Sequence, residues 1–311
     1  MSAIFLGFAL CLVLYVPVLL ITLLLSLLKP LRRLPMVWTF ITCYLFYECA
    51  GVLRLTWVWL RYRHDPDWIR KNRLVQIWWA RSLLRMGAFV FRLDFAASGT
   101  EALPGNSALM FVRHASLGDT VIPLVFFSYP RNNEGIRYVI KKELLISPSL
   151  DIGGHRLSTV FVDRSGLDTE HALATVGNMT ATAPEDESLL IFPEGTRNTR
   201  SKRQQLRNKS PHLAEQLERW PDLLPPRMGG VGAMLENNPG KDVVFAAHTG
   251  FEGYANLTEL LSGTWQKSTV RIHLWRVPYA DIPADYKSFL FEQWDNMQAV
   301  INDLRQQESN T

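Results

Sequence analysis

The sequence predicts an α/β fold. We expect a single domain with a mixed, largely buried β-sheet flanked by helices, preceded by an N-terminal membrane-embedded two-helix segment. Two observations support this. Short apolar runs alternate with helical patterns along most of the chain, which is typical of an α/β domain. The N-terminal part is apolar and almost uncharged. We therefore place a membrane-embedded helical hairpin at residues 1–62 and the α/β domain at residues 63–311.

Two apolar segments make up the N-terminal part. The first 28 residues carry no charged side chain, and as a helix they extend about 42 Å, more than a bilayer core requires. They lack the basic start and the small-residue cleavage site of a signal peptide. The second segment, residues 36–60, contains Glu48 and Arg54. Each ion costs about 2.5 to 3.5 kcal/mol at the bilayer centre, so this segment either lies shallow or packs against the first.

The basic residues that flank these segments leave two topologies open. Lys29, Arg32 and Arg33 lie between the segments, and further basic residues follow the second. The positive-inside rule then places both flanks in the cytoplasm. A two-pass hairpin breaks this rule on one side, whereas a hairpin that dips into one leaflet, with a kink at Pro17, obeys it. With either topology we expect a membrane protein whose active site faces the cytoplasm.

The chain is most basic directly after the apolar segments. Residues 61–92 contain eight Arg or Lys, and six of the ten tryptophans lie between residues 38 and 79. Asp65-Pro66 predicts an N-cap and a first-turn proline for a helix at about 66–87. Basic residues and tryptophan favour lipid headgroups. We therefore expect an interfacial amphipathic helix that contacts membrane lipids and no nucleic acid. An ordinary amphipathic helix on a globular core is the alternative.

The α/β alternation gives a predicted element list. Strands are predicted at 89–95, 107–112, 137–141, 159–163, 188–192, 242–247 and 268–276. Helices are predicted at 117–128, 169–182, 211–219, 229–237 and 284–305. The polar, basic stretch 198–210 is predicted to be a mobile surface loop.

The first chemical motif, His114 and Asp119, follows the predicted strand 107–112. Asp119 lies one helical turn further on and can accept the Nδ1–H of His114, which leaves Nε2 as a base. Such a pair can deprotonate a hydroxyl, an effect of about 10²- to 10⁴-fold on rate. Ser116 is either a nucleophile or, as we favour, a helix N-cap. Taken alone, the pair also fits a structural histidine.

The second motif is Phe-Pro-Glu-Gly-Thr-Arg at residues 192–197. Gly195 permits a tight turn with outward-pointing backbone N–H groups, Thr196 adds a hydroxyl, and Arg197 provides a planar fork that suits phosphate oxygens. Glu194 is expected to hold this arginine or a neighbouring basic group in place. The alternative is a turn with a surface salt bridge.

Further cations follow other predicted strands. Lys141 and Lys142 end one strand, and Arg164 follows an apolar run. Because the carboxyl ends of parallel strands meet at one edge of a sheet, these cations predict a phosphate pocket together with residues 192–197.

In this order the motifs resemble those of the lysophospholipid and glycerophosphate acyltransferase family, typified by the 1-acylglycerol-3-phosphate acyltransferases. The resemblance covers about residues 87–250. The matching positions are His114, Ser116 and Asp119, residues 192–197 in full, and the intervening blocks 141–144 and 161–164.

The resemblance implies transfer of a fatty acyl group from acyl-CoA or acyl carrier protein to the free hydroxyl of a lysophospholipid. The best match is 1-acylglycerol-3-phosphate as acceptor, giving phosphatidic acid. His114 is then the base and Asp119 its partner, and no cofactor is expected. No metal is expected either, since the other histidines lack metal-ligand spacing. Alternatives are another lysophospholipid or glycerol 3-phosphate as acceptor, or a non-catalytic lipid-binding protein of the same fold.

The chain departs from the family pattern at two places. Arg113 precedes the motif histidine where many relatives have asparagine. The block at residues 243–248 lacks the usual proline and ends in His248. For this second imidazole we favour a packing or substrate-edge role over catalysis.

Overall fold

The fold is seen in a computed structural model that describes residues 2–103, 107–116, 118–127, 135–162, 170–252 and 266–309. The helices are α1 (Ser2–Leu25), α2 (Leu34–Tyr62), α3 (Trp68–Phe91), α4 (Ile122–Phe127), α5 (Pro148–Arg156), α6 (Glu170–Ala181), α7 (Arg200–Lys209), α8 (Pro211–Arg219), α9 (Met228–Glu236) and α10 (Tyr286–Ser309). The strands are β1 (Asp94–Ser98), β2 (Ala108–Val112), β3 (Gly135–Lys141), β4 (Val160–Val162), β5 (Glu187–Ile191), β6 (Asp242–Thr249) and β7 (Thr269–Val277).

The strands form one seven-stranded mixed sheet in the order β1-β7-β6-β2-β5-β3-β4. The strands from β6 to β4 in this order are parallel to their neighbours. β7 is antiparallel to β6, and β1 is parallel to β7. This confirms the predicted α/β class with a mixed sheet.

Two apolar cores sandwich the sheet. Every residue of β2 and β5 is buried, because helices cover both faces of these central strands. Met110 packs on the side of α3 and α4, whereas its neighbour Phe111 packs on the side of α6, α9 and α10. The alternation of side chains along a strand distributes one apolar run between both cores.

The N-terminal helices form an antiparallel pair. Trp38 Nε1 donates to the carbonyl of Tyr15 at 3.3 Å, and the rings of Phe8 and Phe46 lie 5.8 Å apart. Both helices are long and apolar enough to cross a membrane. Most side chains of α1 point away from the protein, as the 75% exposure of Val13 illustrates. The pair therefore indicates association with a membrane.

Helix α2 is docked on the α/β domain through Glu48. This side chain is fully buried and accepts hydrogen bonds from Ser147 Oγ at 2.8 Å and from the Ser149 backbone N–H at 3.1 Å. Ser149 Oγ in turn donates to the Glu48 carbonyl at 3.0 Å. The other ion of this helix, Arg54, lies over the Trp78 ring at 3.8 Å. Both charges are thus satisfied by protein groups.

Helix α3 differs from its prediction at both ends. It begins at Trp68 after an N-cap at Asp67, rather than at Pro66, and it extends to Phe91. The predicted strand 89–95 is therefore wrong in its first half. The short apolar run before Arg92 is compatible with either state, and here it forms the last helical turn. Arg92 ends the helix with φ of 54°, and β1 starts two residues later.

The predicted mobile loop 198–210 is also wrong, because α7 occupies most of it. Thr199 caps this helix by accepting a hydrogen bond from the Lys202 N–H at 3.1 Å. Arg203 then donates to the carbonyls of Leu217 and Leu223 at 2.9 and 2.8 Å. A cap and an arginine that binds the carbonyls of a neighbouring segment order this polar stretch.

We expect Glu48→Ala to lower the stability of the whole protein. The substitution leaves the buried Ser147 and Ser149 donors without their acceptor, at a cost of about 1–3 kcal/mol. Thermal unfolding in detergent measures the change, with exposed Glu218→Ala as the control. Equal unfolding midpoints of Glu48→Ala and the control would show that this contact does not hold α2 on the domain.

Candidate active site

The carboxyl ends of β2, β3, β5 and β6 meet at one edge of the sheet. His114 follows β2, Lys141 ends β3, residues 192–197 follow β5, and His248 lies in β6. A cleft of about 410 Å³ opens there, and His114 lines it together with Lys141 and Arg197. Open α/β sheets commonly bind ligands at this edge, so the cleft is the candidate active site.

His114 and Asp119 contact each other as the sequence predicts. His114 Nδ1 lies 3.2 Å from Asp119 Oδ2. Because a carboxylate only accepts hydrogen bonds, Nδ1 carries the proton and Nε2 is left as the basic nitrogen. His114 is 14% exposed and stacks on the Phe192 ring at 4.3 Å. The imidazole therefore has a fixed plane and one nitrogen available to a ligand.

Asp119 is fully buried and organises the turn after β2. Its Oδ2 accepts the backbone N–H groups of Ala115 and Ser116 at 2.5 and 2.7 Å. Burial alone raises the pKa of Asp119, but His248 and the hydrogen bond from His114 outweigh that effect and hold it at about 2. Asp119 is therefore a carboxylate at neutral pH.

Ser116 stabilises this same turn. Its Oγ donates to Asp119 Oδ1 at 2.7 Å and accepts the Gly118 N–H at 3.0 Å. The turn leads into a short 3-10 helix, and α4 begins only at Ile122. Ser116 therefore stabilises a turn rather than capping a helix, and its hydroxyl is directed at Asp119 rather than at His114.

Glu194 holds the backbone of the site. It is 1% exposed, and its two oxygens accept the backbone N–H groups of His114 at 2.7 Å and Leu224 at 2.9 Å. Burial raises its pKa to about 8. Glu194 is predicted to be one of the phosphate-binding residues, but in the structure it lies behind the cleft and does not line it. Both its oxygens accept backbone N–H groups, which need such partners when they are buried.

The rest of the second motif lines the cleft as predicted. Gly195 has φ of 66°, in the region that favours glycine, and Thr196 and Arg197 follow it on the cleft wall. A Cβ at Gly195 would approach Arg227 Cδ to 3.2 Å. The glycine thus permits both the turn and the close approach of a second arginine.

The described part of the cleft wall contains four cations and one carboxylate, Glu143. The cations are Lys141, Arg197, Lys202 and Arg227. Partial burial lowers the pKa of Lys141, and the three neighbouring cations lower it further against the opposing effect of Glu143. Mutual repulsion of this kind is relieved by an anionic ligand. The predicted Lys142 is exposed and does not line the cleft, and Arg164 lies outside the described residues.

Lys202 and Arg227 line the cleft but are not among the site residues predicted from the sequence. Arg227 is joined to the second motif by its backbone N–H, which donates to the Pro193 carbonyl at 2.9 Å. Lys202 lies in α7, the stretch predicted to be a loop.

An apolar pocket of about 330 Å³ adjoins the cleft. It lies between α2, α3 and the α/β domain, and Thr120 and Leu144 line both cavities. Phe40, Trp79 and Phe251 are among the other lining residues. The polar cleft thus continues into a space that suits a hydrocarbon chain.

Comparison with known proteins finds one matching family and one solved structure of similar fold. A family model described as Acyltransferase matches residues 94–229. This segment of the chain is therefore similar to the acyltransferase family. The matched segment contains both motifs, from β1 to the start of α9. No curated protein sequence matches the chain.

A solved structure shares the fold. It is the 1-acyl-sn-glycerophosphate (LPA) acyltransferase, PlsC, from Thermotoga maritima, with a TM-score of 0.59 and 15% sequence identity. The match covers 89% of this chain and 97% of that one. It therefore extends beyond the segment matched by the acyltransferase family model, and at this identity it establishes the fold.

The depressed pKa of Asp119 predicts acid sensitivity. Because the native carboxyl has a pKa of about 2 instead of 3.8, unfolding takes up a proton at acid pH. Asp119 thereby contributes about 2 kcal/mol to the free energy of unfolding. This contribution is fully present above about pH 4 and is lost as the pH falls toward 2. Thermal unfolding between pH 2 and 7 measures this.

Asp119→Asn should flatten that pH dependence, whereas exposed Asp281→Asn should leave it as in the wild type. Identical pH dependence of Asp119→Asn and the wild type would contradict the assignment of Asp119 as a native carboxylate.

Proposed function

We propose that this protein transfers a fatty acyl group from a thioester, acyl-CoA or acyl carrier protein, to the free hydroxyl of a lysophospholipid. The acceptor that fits best is 1-acylglycerol-3-phosphate, and the product is then phosphatidic acid. The observation that carries this proposal is the His114–Asp119 pair at the edge of a cationic cleft that continues into an apolar pocket.

His114 acts as a base in this reaction. Its Nε2 takes the proton of the acceptor hydroxyl while the hydroxyl oxygen attacks the thioester carbonyl carbon. The C–S bond then breaks, and the imidazolium returns its proton to the thiolate, which leaves as a thiol. Asp119 stabilises the intervening imidazolium because its buried charge lies 3.2 Å from Nδ1. No acyl-enzyme forms, in keeping with a Ser116 hydroxyl that bonds to Asp119.

The phosphate of the acceptor binds the cationic part of the cleft. Arg197 and Arg227 provide planar forks for phosphate oxygens, Lys141 adds a point charge, and Thr196 adds a hydroxyl. A role of Arg164 in phosphate binding stays a prediction, because this residue lies outside the described residues. Glu194 acts indirectly, since it fixes the backbone of both His114 and the segment that leads to Arg227.

The apolar pocket supports a lipid substrate over glycerol 3-phosphate. Burying one methylene group stabilises a complex by about 0.8 kcal/mol, so a fatty acyl chain gains most of its binding energy in such a space. The wall of the pocket includes Phe40 and Tyr44 of the apolar helix α2. A lipid can therefore pass between membrane and site without crossing water. In this arrangement the basic flanks of α1 and α2 face the cytoplasm, together with the site.

His114→Ala is expected to abolish acyl transfer and to leave lysolipid binding within about twofold, because the base is lost while the cationic cleft stays. The loss in kcat should be at least about 10²-fold. Product formation from radiolabelled acyl-CoA measures transfer, and exposed His212→Ala is the control.

The same variant separates the proposal from a lipid-binding protein without catalysis. A wild-type protein that binds lysolipid but transfers no acyl group would favour the binding protein. Full activity in His114→Ala would show that another group is the base.

A further inference from the structure

Arg113 and His248 hold each other's backbone at the ends of β2 and β6. The regular pairing of these strands ends at Val112 and Ala246, and the Arg113 N–H still donates to the Ala246 carbonyl at 3.1 Å. Beyond it, Arg113 Nη1 donates to the His248 carbonyl. His248 Nε2 lies 3.2 Å from the Arg113 carbonyl. Two reciprocal side-chain bonds thus continue the strand pairing up to the residue before His114.

The imidazole of His248 also faces the dyad. Its Nε2 lies 3.4 Å from Asp119 Oδ1 as well as 3.2 Å from the Arg113 carbonyl. Both neighbours are acceptors, so Nε2 carries a proton. Burial lowers the pKa of His248. Its buried Nδ1 has no hydrogen-bond partner within the part of the chain that the structure describes. The geometry therefore makes Nε2 of His248 the donor.

Arg113 is also held by groups other than His248. The side chain is 1% exposed, and it donates to Glu252 Oε1 at 2.7 Å and to the Asp222 carbonyl at 3.1 Å. Burial raises the pKa of Glu252, but Arg113 outweighs that effect and holds it at about 2. Asp222 in turn pairs with Arg305 of α10 at 2.5 Å. Arg113 therefore connects the turn that carries His114 with the segments of Glu252 and Asp222 and, through Asp222, with α10.

We infer that Arg113 and His248 form a reciprocal clamp that positions His114 and Asp119 for proton transfer. Both are positioning residues, and the inference rests on the proposed function, since the proton transfer is that of acyl transfer. Arg113 and the block that ends in His248 are the two departures from the family pattern. They are in contact here and have one role. With Glu194, which binds the His114 N–H from the β5 side, the clamp holds the base from both neighbouring strands.

Substitutions in the full-length protein test the clamp by kinetics. His248→Leu removes the Nε2 donor, and His248→Gln keeps an amide donor. We expect kcat to fall about 10- to 100-fold in His248→Leu, with KM for both substrates within about twofold, because misplacement of a base affects chemistry and not binding. His248→Gln should recover most of kcat. Buried Thr249→Val, the neighbouring position in β6, is the control and should resemble the wild type.

Arg113→Lys tests the other half of the clamp. Lysine keeps the charge beside Glu252 but cannot bind Glu252, the Asp222 carbonyl and the His248 carbonyl with one fork. We expect about a tenfold fall in kcat. The double variant with His248→Leu should be no worse than the poorer single one, since coupled residues are not additive. If His248→Leu does not fold, Arg113→Lys and His248→Gln carry the test.

A spectroscopic readout separates the clamp from the proposed function. ¹⁵N NMR of histidine-labelled protein reports which nitrogen of His114 carries the proton, with His114→Asn as the assignment control. The wild type should show Nδ1–H alone, and His248→Leu a mixture of tautomers. Wild-type kcat and an unchanged tautomer in His248→Leu would overturn the clamp. A wild type that acylates no lysophospholipid would overturn the proposed function, and the tautomer comparison would still test the clamp.

Discussion

The buried carboxylate of Asp119 is the group around which the candidate site is built. It accepts backbone N–H groups of Ala115 and Ser116, the Ser116 hydroxyl and the His114 Nδ1–H. An isolated buried charge is costly, and these donors, which lie on a single turn, offset that cost. The conformation of the turn and the ionisation of Asp119 therefore depend on each other. The direction of His114 Nε2 follows from both, because the same carboxylate fixes the tautomer.

A second buried carboxyl group, that of Glu194, connects this turn with the rest of the cleft. Its two oxygens join the backbone of His114 to that of Leu224, three residues before Arg227. The proposed base and one of the cations of the proposed phosphate site are thus held at a fixed separation. On the opposite side, Glu48 holds α2 against α5 and so maintains one wall of the apolar pocket. Three buried carboxyl groups thereby hold the relative positions of the proposed base, anion site and hydrocarbon site.

The sequence predicts those parts that depend on local patterns. The buried strand β2 is a continuous apolar run, and the His114–Asp119 spacing is short enough for one turn to join the two residues. Parts that depend on distant partners are not predictable in this way. Arg203 orders α7 through carbonyls of the following segment. Glu194 has its second partner thirty residues away, and Arg113 meets His248 only because β2 and β6 are neighbours.

The most direct test of the central claim is an acyl-transfer assay of purified wild-type protein in lipid vesicles. Acyl-CoA and acyl carrier protein donors are combined with 1-acylglycerol-3-phosphate, with monoacylglycerol, which lacks the phosphate, and with glycerol 3-phosphate, which lacks the acyl chain. Mass spectrometry identifies the products. The account predicts phosphatidic acid from 1-acylglycerol-3-phosphate, formed at least about tenfold faster than either other product, a preference of about 1.4 kcal/mol. Equal acylation of monoacylglycerol, or no acylated product from any pair, would contradict it.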